Sequence, residues 1–440
     1  MSEIDSRLAN RILLGLVIGA VAGVGVLVIG ALAPSVLQGA RSLSTALFDP
    51  LGQVFLRLLF FVVIPLIFAS LVVGVVQLGR LSDLGPLAGK TFALFALNMI
   101  IGVALGLLMM NLLEPGARLD ADTQARLVTE YGSAAQGYVE ARSAQPDMSL
   151  GLLVDMFMPR NLFGAFVGTN RNLLGEVLPL ILFALLVGAA GTQLAADRRE
   201  RLQASMETVS QLMTHIVHFA LRLAPYAVAA LIFSVVVKVG FDILIALGVF
   251  VLGCLAVMVL HLFGTFSIWL KVATNRKPVE FFRKITPVLI TAFTTSSSNA
   301  TLPATIATAR ESLGVRPSVA GFVLPLGATM NMSGTALYEG CVVLFVAQVF
   351  GVDLTFAQQA TLLMLAVLSA VAVAGIPGGS LPLIAGLLVT FGIPPEGIGI
   401  VLGADRILDM ARTVVNVGAD LVTSVIIEDR AAPAESRPPV

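Results

Sequence analysis

Residues 405–420 read DRILDMARTVVNVGAD, set between the apolar stretches VLGA and LVTSVII. At about 100° per residue, Asp405, Asp409, Arg412, Asn416 and Asp420 share a helix sector roughly 80° wide. Ile407, Leu408, Val414, Val415 and Val422 lie on the other side. An Asp or Arg at the centre of a membrane-spanning helix costs about 2.5–3.5 kcal/mol on insertion scales, so the four charges cost roughly 10–14 kcal/mol. The Ile, Leu and Val around them, at about −0.3 to −0.6 kcal/mol each, do not balance that. The stripe must therefore face polar groups, water, ions or a charged ligand inside a helical membrane protein.

The whole chain has the composition of such a protein. Of its 440 residues 57% are apolar and only 12% are charged, outside the range of soluble domains of this size. The formal net charge is zero, which argues against a nucleic-acid partner, since that needs a basic face. Cys254 and Cys341, the two cysteines, both sit in apolar runs, which speaks against a disulfide framework or thiolate metal site. His215, His218 and His261 have no acidic neighbours at metal-ligand spacing. The N-terminal apolar run is too long for a signal-peptide core and reads as a retained first span.

Apolar runs that can cross a ~30 Å core fall near 11–33, 47–78, 91–113, 174–195, 205–238, 242–270, 318–350 and 398–427, predicting eight helices. Basic residues cluster at alternate ends: Arg7 and Arg11, Arg80 and Lys90, Arg198, Arg199 and Arg201, Lys271 through Lys284, and Arg310 with Arg316. All are cytoplasmic if both termini are. The mixed-charge segment 114–150 reads as an external loop, and 151–173 as a broken or interfacial entry to the fourth span.

Two apolar segments do not fit as full spans. Segment 278–312 is interrupted by TTSSSNATLP (294–303), and 356–396 by AGIPGGSLP (374–382). Irregular backbone at membrane depth is tolerated only where it is buried in protein or lines a cavity. These segments therefore predict two re-entrant helical hairpins, one from each side. Hairpin followed by helix, occurring twice in opposite senses, is an inverted repeat of the kind found in transporters. The seventh span has its own break, PLGATMNMSGTALYEG (325–340), where Gly327, Asn331 and Gly334 are poor helix-interior residues. Unwound carbonyls there suit a hard cation such as Na⁺.

Other chemistries fit less well. Ser296–Ser298 could be nucleophiles of a membrane enzyme, but no histidine or lysine accompanies them and the GxSxG turn is absent. A channel has less need of a paired Asp and Arg. No ATP-binding motif is present, so transport would be secondary.

In SSSNATLP, NMSGTALYEG, AGIPGG and DRILDMARTVVNVGAD, taken in order, the chain from roughly 12 to 428 resembles the glutamate transporter family, the dicarboxylate/amino acid:cation symporters. The resemblance implies an all-α fold of eight transmembrane helices plus two hairpins, working as a homotrimer by an elevator motion in the cell inner membrane, with both termini cytoplasmic. Scaffold helices 1–2 would lie in 1–78 and helices 4–5 in 151–238. The transport domain would comprise helix 3 (88–113), helix 6 (239–271), hairpin 1 (278–312), helix 7 (317–350), hairpin 2 (356–396) and helix 8 (397–428), followed by a cytoplasmic tail, 429–440.

By motif, Arg412 matches the residue that holds the substrate side-chain carboxylate, for which a planar guanidinium is suited. Asp409 matches the partner of the substrate ammonium. Thr413 and Asn416 match positions beside the α-carboxylate and amine, Thr335 a donor to the side-chain carboxylate, and Ser296 and Ser298 hairpin-tip contacts. Ile376 through Ser380 would close an outer gate. The pair implies an acidic amino acid, glutamate or aspartate, because a neutral substrate leaves Arg412 unpaired and a dicarboxylate leaves Asp409 without an ammonium. Dicarboxylate and neutral amino acid carriers are the family's alternatives.

For cations, the resemblance implies an intact first Na⁺ site from the Gly327 carbonyl, Asn331, the Asn416 carbonyl and Asp420, an oxygen-only set. A second would be formed by carbonyls around Thr329 and Ala370–Val373. A third is degraded, with Ser333 in place of the family aspartate and Phe95, Asn98 and Met99 in place of a tyrosine, a threonine and a serine. Mammalian members carry a glutamate at the position of Glu339 and use it for the coupled proton, whereas Na⁺-only archaeal relatives have glutamine. The expected coupling is H⁺, Na⁺ or both, with no cofactor. Asp405 is expected to be a supporting carboxylate near the serine-rich hairpin.

Overall fold

Prolines decide where several of the apolar runs stop being single helices. The computed structural model describes residues 2–81, 86–130, 158, 160–167, 177–373 and 378–431, and among these every regular element is helical. In chain order they are α1 (Ser2–Leu32), α2 (Pro34–Leu43), α3 (Asp49–Phe61), α4 (Val63–Leu81), α5 (Pro86–Leu113), α6 (Ala121–Glu130), α7 (Leu162–Val167), α8 (Val177–Thr192), α9 (Ala196–Leu221) and α10 (Ala224–Val239). There follow α11 (Asp242–Val259), α12 (Phe266–Ala273), α13 (Pro278–Thr295), α14 (Ser298–Ala307), α15 (Pro317–Met330), α16 (Ser333–Val349), α17 (Phe356–Ala372), α18 (Leu381–Thr390) and α19 (Ile398–Ala431).

A proline lacks the helical N–H and its ring crowds the carbonyl four residues earlier. For Pro65 and Pro225 those carbonyls belong to Phe61 and Leu221, the last residues of α3 and α9. The expected spans 47–78 and 205–238 are thus each made of helices in series. Five described segments are long and apolar enough to cross a membrane without help: Asn10–Leu32, Gly89–Leu113, Asp242–Ala273, Pro317–Val349 and Pro395–Asp429. The expected 114–150 loop contains a turn segment at 114–120 and α6; residues 131–150 lie outside the described residues.

Burial separates inner from outer helices. Protein buries 94% of the apolar window in Pro317–Val349 and 83% of that in Pro395–Asp429, against 22% for Asn10–Leu32. α1 leaves Leu14, Val17, Ile18, Val21, Val28 and Ile29 exposed, a face suited to acyl chains rather than water. Its inner face carries Gly15, Gly19 and Gly23, against which α10 packs. A Cβ at Gly15 would strike the Pro225 carbonyl and one at Gly19 the Ala229 carbonyl; small residues four apart allow such close approach between membrane helices.

α13 and α14 form the first hairpin, with Ser296 and Ser297 as its tip. Ser296 adopts φ 50°, ψ 31°, the left-handed conformation that closes a helix C-terminus. Ser297 then caps α14, its Oγ accepting from Ala300 N at 3.2 Å. α17 and α18 form the second hairpin; the expected contact at Ile376, within 374–377, lies outside the described residues. α18 has 10 residues, about 15 Å of rise and so half a bilayer core, whereas α14, also 10 residues, runs on into a π-helical segment, Thr308–Ser312.

Ion pairs set the opposed entry of the hairpins. Ahead of α13, Arg276 donates through Nε and Nη2 to Asp429 at 3.0 and 2.9 Å. Beyond α14, Arg316 donates through its backbone N–H and Nε to Glu428 at 3.0 and 2.7 Å. The open end of the first hairpin is thus tied to the C-terminal end of α19, whereas the second hairpin runs through Pro395–Gly397 into the N-terminus of α19. α19 itself runs on to Ala431.

The break between α15 and α16 is narrower than composition suggested. Only Asn331 (φ −115°, ψ 56°) and Met332 (φ −89°, ψ 61°) leave the helix. Gly327 and Gly334 remain helical, and their missing Cβ atoms serve packing instead: one at Gly327 would strike the Asp420 carboxylate, and one at Gly334 the Arg412 carbonyl and, at 2.8 Å, Val415 Cβ. Gly334→Ala is expected to cost about 1–3 kcal/mol by overpacking. It should lower the thermal midpoint of detergent-purified protein by several degrees, and an unchanged midpoint would show that α16 and α19 yield freely.

Candidate functional site

The centre of α19 is an ion cluster closed from above by the second hairpin. Arg412 donates through Nε (2.9 Å) and Nη2 (2.5 Å) to Asp409 Oδ1, and through Nη1 to Ser380 Oγ at 2.5 Å. The same Nη1 lies 3.7 Å from Asp405 Oδ1, and the guanidinium stands 4.8 Å over the Tyr338 ring. Such stacking favours a cation in a desolvated site. Tyr338 donates its hydroxyl to Asp405 Oδ1 at 2.8 Å. Asp409 Oδ2 accepts from Gly378 N at 3.2 Å, so two hydrogen bonds link the hairpin tip to α19. Asp405, Asp409 and Arg412 are all buried, where charges persist only if paired and hydrogen-bonded.

One turn further along, Asn416 serves the break. Its Oδ1 accepts from Gly334 N (2.8 Å) and Thr335 N (3.3 Å), and its Nδ2 donates to Thr335 Oγ1 (3.1 Å). A side chain of α19 thereby satisfies the unpaired N–H groups that open α16. Thr413 donates its hydroxyl to the Asp409 carbonyl at 2.8 Å, which fixes that helical turn. Thr335, Asp409, Arg412, Thr413 and Asn416 therefore lie together.

Asp420 forms a separate centre. Asn331 Nδ2 donates to its Oδ1 at 2.9 Å, and the backbone of Gly327 lies against the carboxylate. Among the described residues no cationic side chain pairs with Asp420, which is 2% exposed. A buried carboxylate in that situation, with the Gly327 backbone beside it, suits a small hard cation. Asn98 Nδ2 donates to Asn331 Oδ1 at 3.3 Å. Asn331 belongs to the expected first cation site, so a cation there would share that oxygen with the Asn98 donor. Phe95, Met99 and Ser333 around it are buried.

The sequence that builds these hairpin tips, helix break and charged helix has known relatives. Residues 8–430 match the model of the sodium:dicarboxylate symporter family. The chain belongs to that family. It is 33% identical, over 97% of its length and 93% of the relative's, to a proton/sodium-glutamate symport protein of Bacillus subtilis. It is 31% identical to a proton/glutamate-aspartate symporter of Escherichia coli, over 87% of this chain and 84% of the relative. It is also 31% identical to a C4-dicarboxylate transport protein of Solibacter usitatus, over 91% and 90% of the two chains.

Other expected positions in this symporter are dispersed around the cluster. Ser296 and Ser298 are buried at the first hairpin tip, and Ser296 Oγ makes no hydrogen bond among the described residues. Thr329 donates its hydroxyl to the Leu326 carbonyl at 3.0 Å, which leaves the oxygen lone pairs for a ligand. Glu339 is fully buried on α16. Ser369 of α17 bears on its carboxyl, but neither side chain completes a hydrogen bond of sound geometry. Asp405 has Tyr338 of α16 and Arg412 as its partners. Tyr338 and Arg406 were not among the expected site residues. Tyr338 could have been found from its place beside Glu339 in the NMSGTALYEG motif, since a tyrosine at membrane depth requires a hydroxyl partner.

Proposed function

We propose that this chain is a secondary active symporter that takes up acidic amino acids, glutamate or aspartate, with H⁺, Na⁺ or both. The observation that carries the proposal is the buried Asp409–Arg412 pair under the second hairpin. An acidic amino acid offers a carboxylate to Arg412 and an ammonium to Asp409, replacing one internal ion pair by two with the ligand. Thr335, Thr413, Asn416, Ser296, Ser298, Ile376 and Ser380 complete its surroundings. The names of the Bacillus and Escherichia relatives agree with this substrate class.

In this account Asp420, Asn331 and the carbonyls of Gly327 and Asn416 take one Na⁺, and carbonyls near Thr329 a second. α5, α11, α12, α15, α16, α19 and both hairpins move together as the transport domain against a scaffold of α1–α4 and α7–α10. Three copies assemble in the cell inner membrane, with both termini cytoplasmic. The family carries out symport rather than catalysis.

Purified protein in liposomes, supplied with labelled L-aspartate, tests the substrate. Unlabelled L-glutamate should compete, and L-alanine and L-serine should not; equal competition by alanine would overturn the assignment. Glu339 carries the proton in this account, as a buried carboxyl without a basic partner among the described residues. Glu339→Gln should flatten the pH dependence of uptake while Na⁺ stimulation persists. A wild-type pH profile in that variant would place the proton elsewhere.

A further inference from the structure

Arg406 lies roughly 60° round α19 from Asp409 and outside the polar stripe, yet it is only 8% exposed. Its Nη1 lies 3.6 Å from Asp409 Oδ2. The two oxygens of Asp409 are therefore divided: Oδ1 accepts both donors of Arg412, whereas Oδ2 faces Arg406 and the Gly378 N–H. A ligand carboxylate that draws Arg412 away removes the partner of Oδ1 alone.

We propose that Arg406 is a positioning residue that holds Asp409 through Oδ2 during this exchange and sets how strongly the site demands a substrate ammonium. The inference rests on the acidic amino acid reading. Asp405, Arg406, Asp409 and Arg412 together carry no net charge, and without Arg406 they carry one negative charge. A dianion lacking an amino group thus meets a neutral cluster, and Asp409 keeps a counter-charge that the ligand does not bring. With an amino acid, the ligand's ammonium supplies that counter-charge itself, so Arg406 matters less.

The test is uptake of labelled L-aspartate in liposomes against unlabelled succinate, the same carbon chain without the amine, for wild type, Arg406→Gln and Arg406→Lys. Succinate should inhibit the wild type. In Arg406→Gln its inhibition constant should rise at least about thirtyfold, the loss typical of truncating a buried charge pair, while the aspartate KM rises only a few-fold. Arg406→Lys keeps the charge and should restore most of the succinate inhibition. Equal change of both constants in Arg406→Gln would overturn the proposal in favour of a purely structural role. Should Arg406→Gln not fold, as judged by size-exclusion, Arg406→Met is used instead: a selective rise of the succinate constant supports the proposal, and equal change of both constants overturns it. Aspartate uptake indifferent to succinate overturns this inference alone, whereas a wild type inert to aspartate overturns the acidic amino acid reading with it.

Discussion

Arg412→Ala is expected to abolish uptake of labelled aspartate in liposomes, lowering affinity by roughly 10²–10⁴-fold. That range follows from the ~3–5 kcal/mol lost when one partner of a buried ion pair is removed. Arg412 is the common partner of Asp409, Ser380 and Tyr338, and it lies close to Asp405. Its loss removes the group that would meet the substrate side chain and leaves two buried carboxylates, with Arg406 their remaining nearby cation among the described residues. Isothermal titration with aspartate separates binding from transport. An unchanged affinity would remove the main ground for an acidic substrate, whatever happened to the rate.

Asp420→Asn should have an effect of similar size on a different quantity. Asp420 supplies the only formal charge of the candidate Na⁺ site, and its described partners there are the Asn331 amide and the backbone of Gly327. Replacing the carboxylate by an amide keeps the shape and removes the charge that compensates the cation. Activation of aspartate binding by Na⁺ should weaken at least about a hundredfold, taking ~3 kcal/mol for the lost charge pairing. The pH response through Glu339 should remain. The thermal midpoint should not fall, because a buried charge without a protein counter-ion has been neutralised. Wild-type Na⁺ activation in Asp420→Asn would locate the cation elsewhere.

The two candidate centres were legible in the sequence to different depths. Asp409, Arg412, Asn416 and Asp420 share one helical period, so their common face followed from spacing, and the energetic cost of charge in a membrane demanded partners for it. The partners themselves come from other helices. Tyr338 reaches Asp405 across 67 residues, and Asn98 reaches Asn331 across 233. Such contacts depend on helix register, which hydropathy does not encode. Arg406 was missed because it stands off the stripe and reaches Asp409 only through its long side chain. The breaks at Pro65 and Pro225 were visible as prolines but lay within runs that were apolar throughout. Conversely, Gly327 and Gly334 looked like helix breakers and act as close-packing points. Composition records the absence of a Cβ without saying whether backbone freedom or space is being used.

The most direct test of symport is accumulation of labelled aspartate by wild-type protein in liposomes under separately imposed inward Na⁺ and H⁺ gradients. Uptake above equilibrium with at least one gradient, lost when that gradient is collapsed by an ionophore, is the predicted result. Uptake that only equilibrates, unaffected by either gradient, would contradict coupled transport and with it the roles given to Asp420 and Glu339.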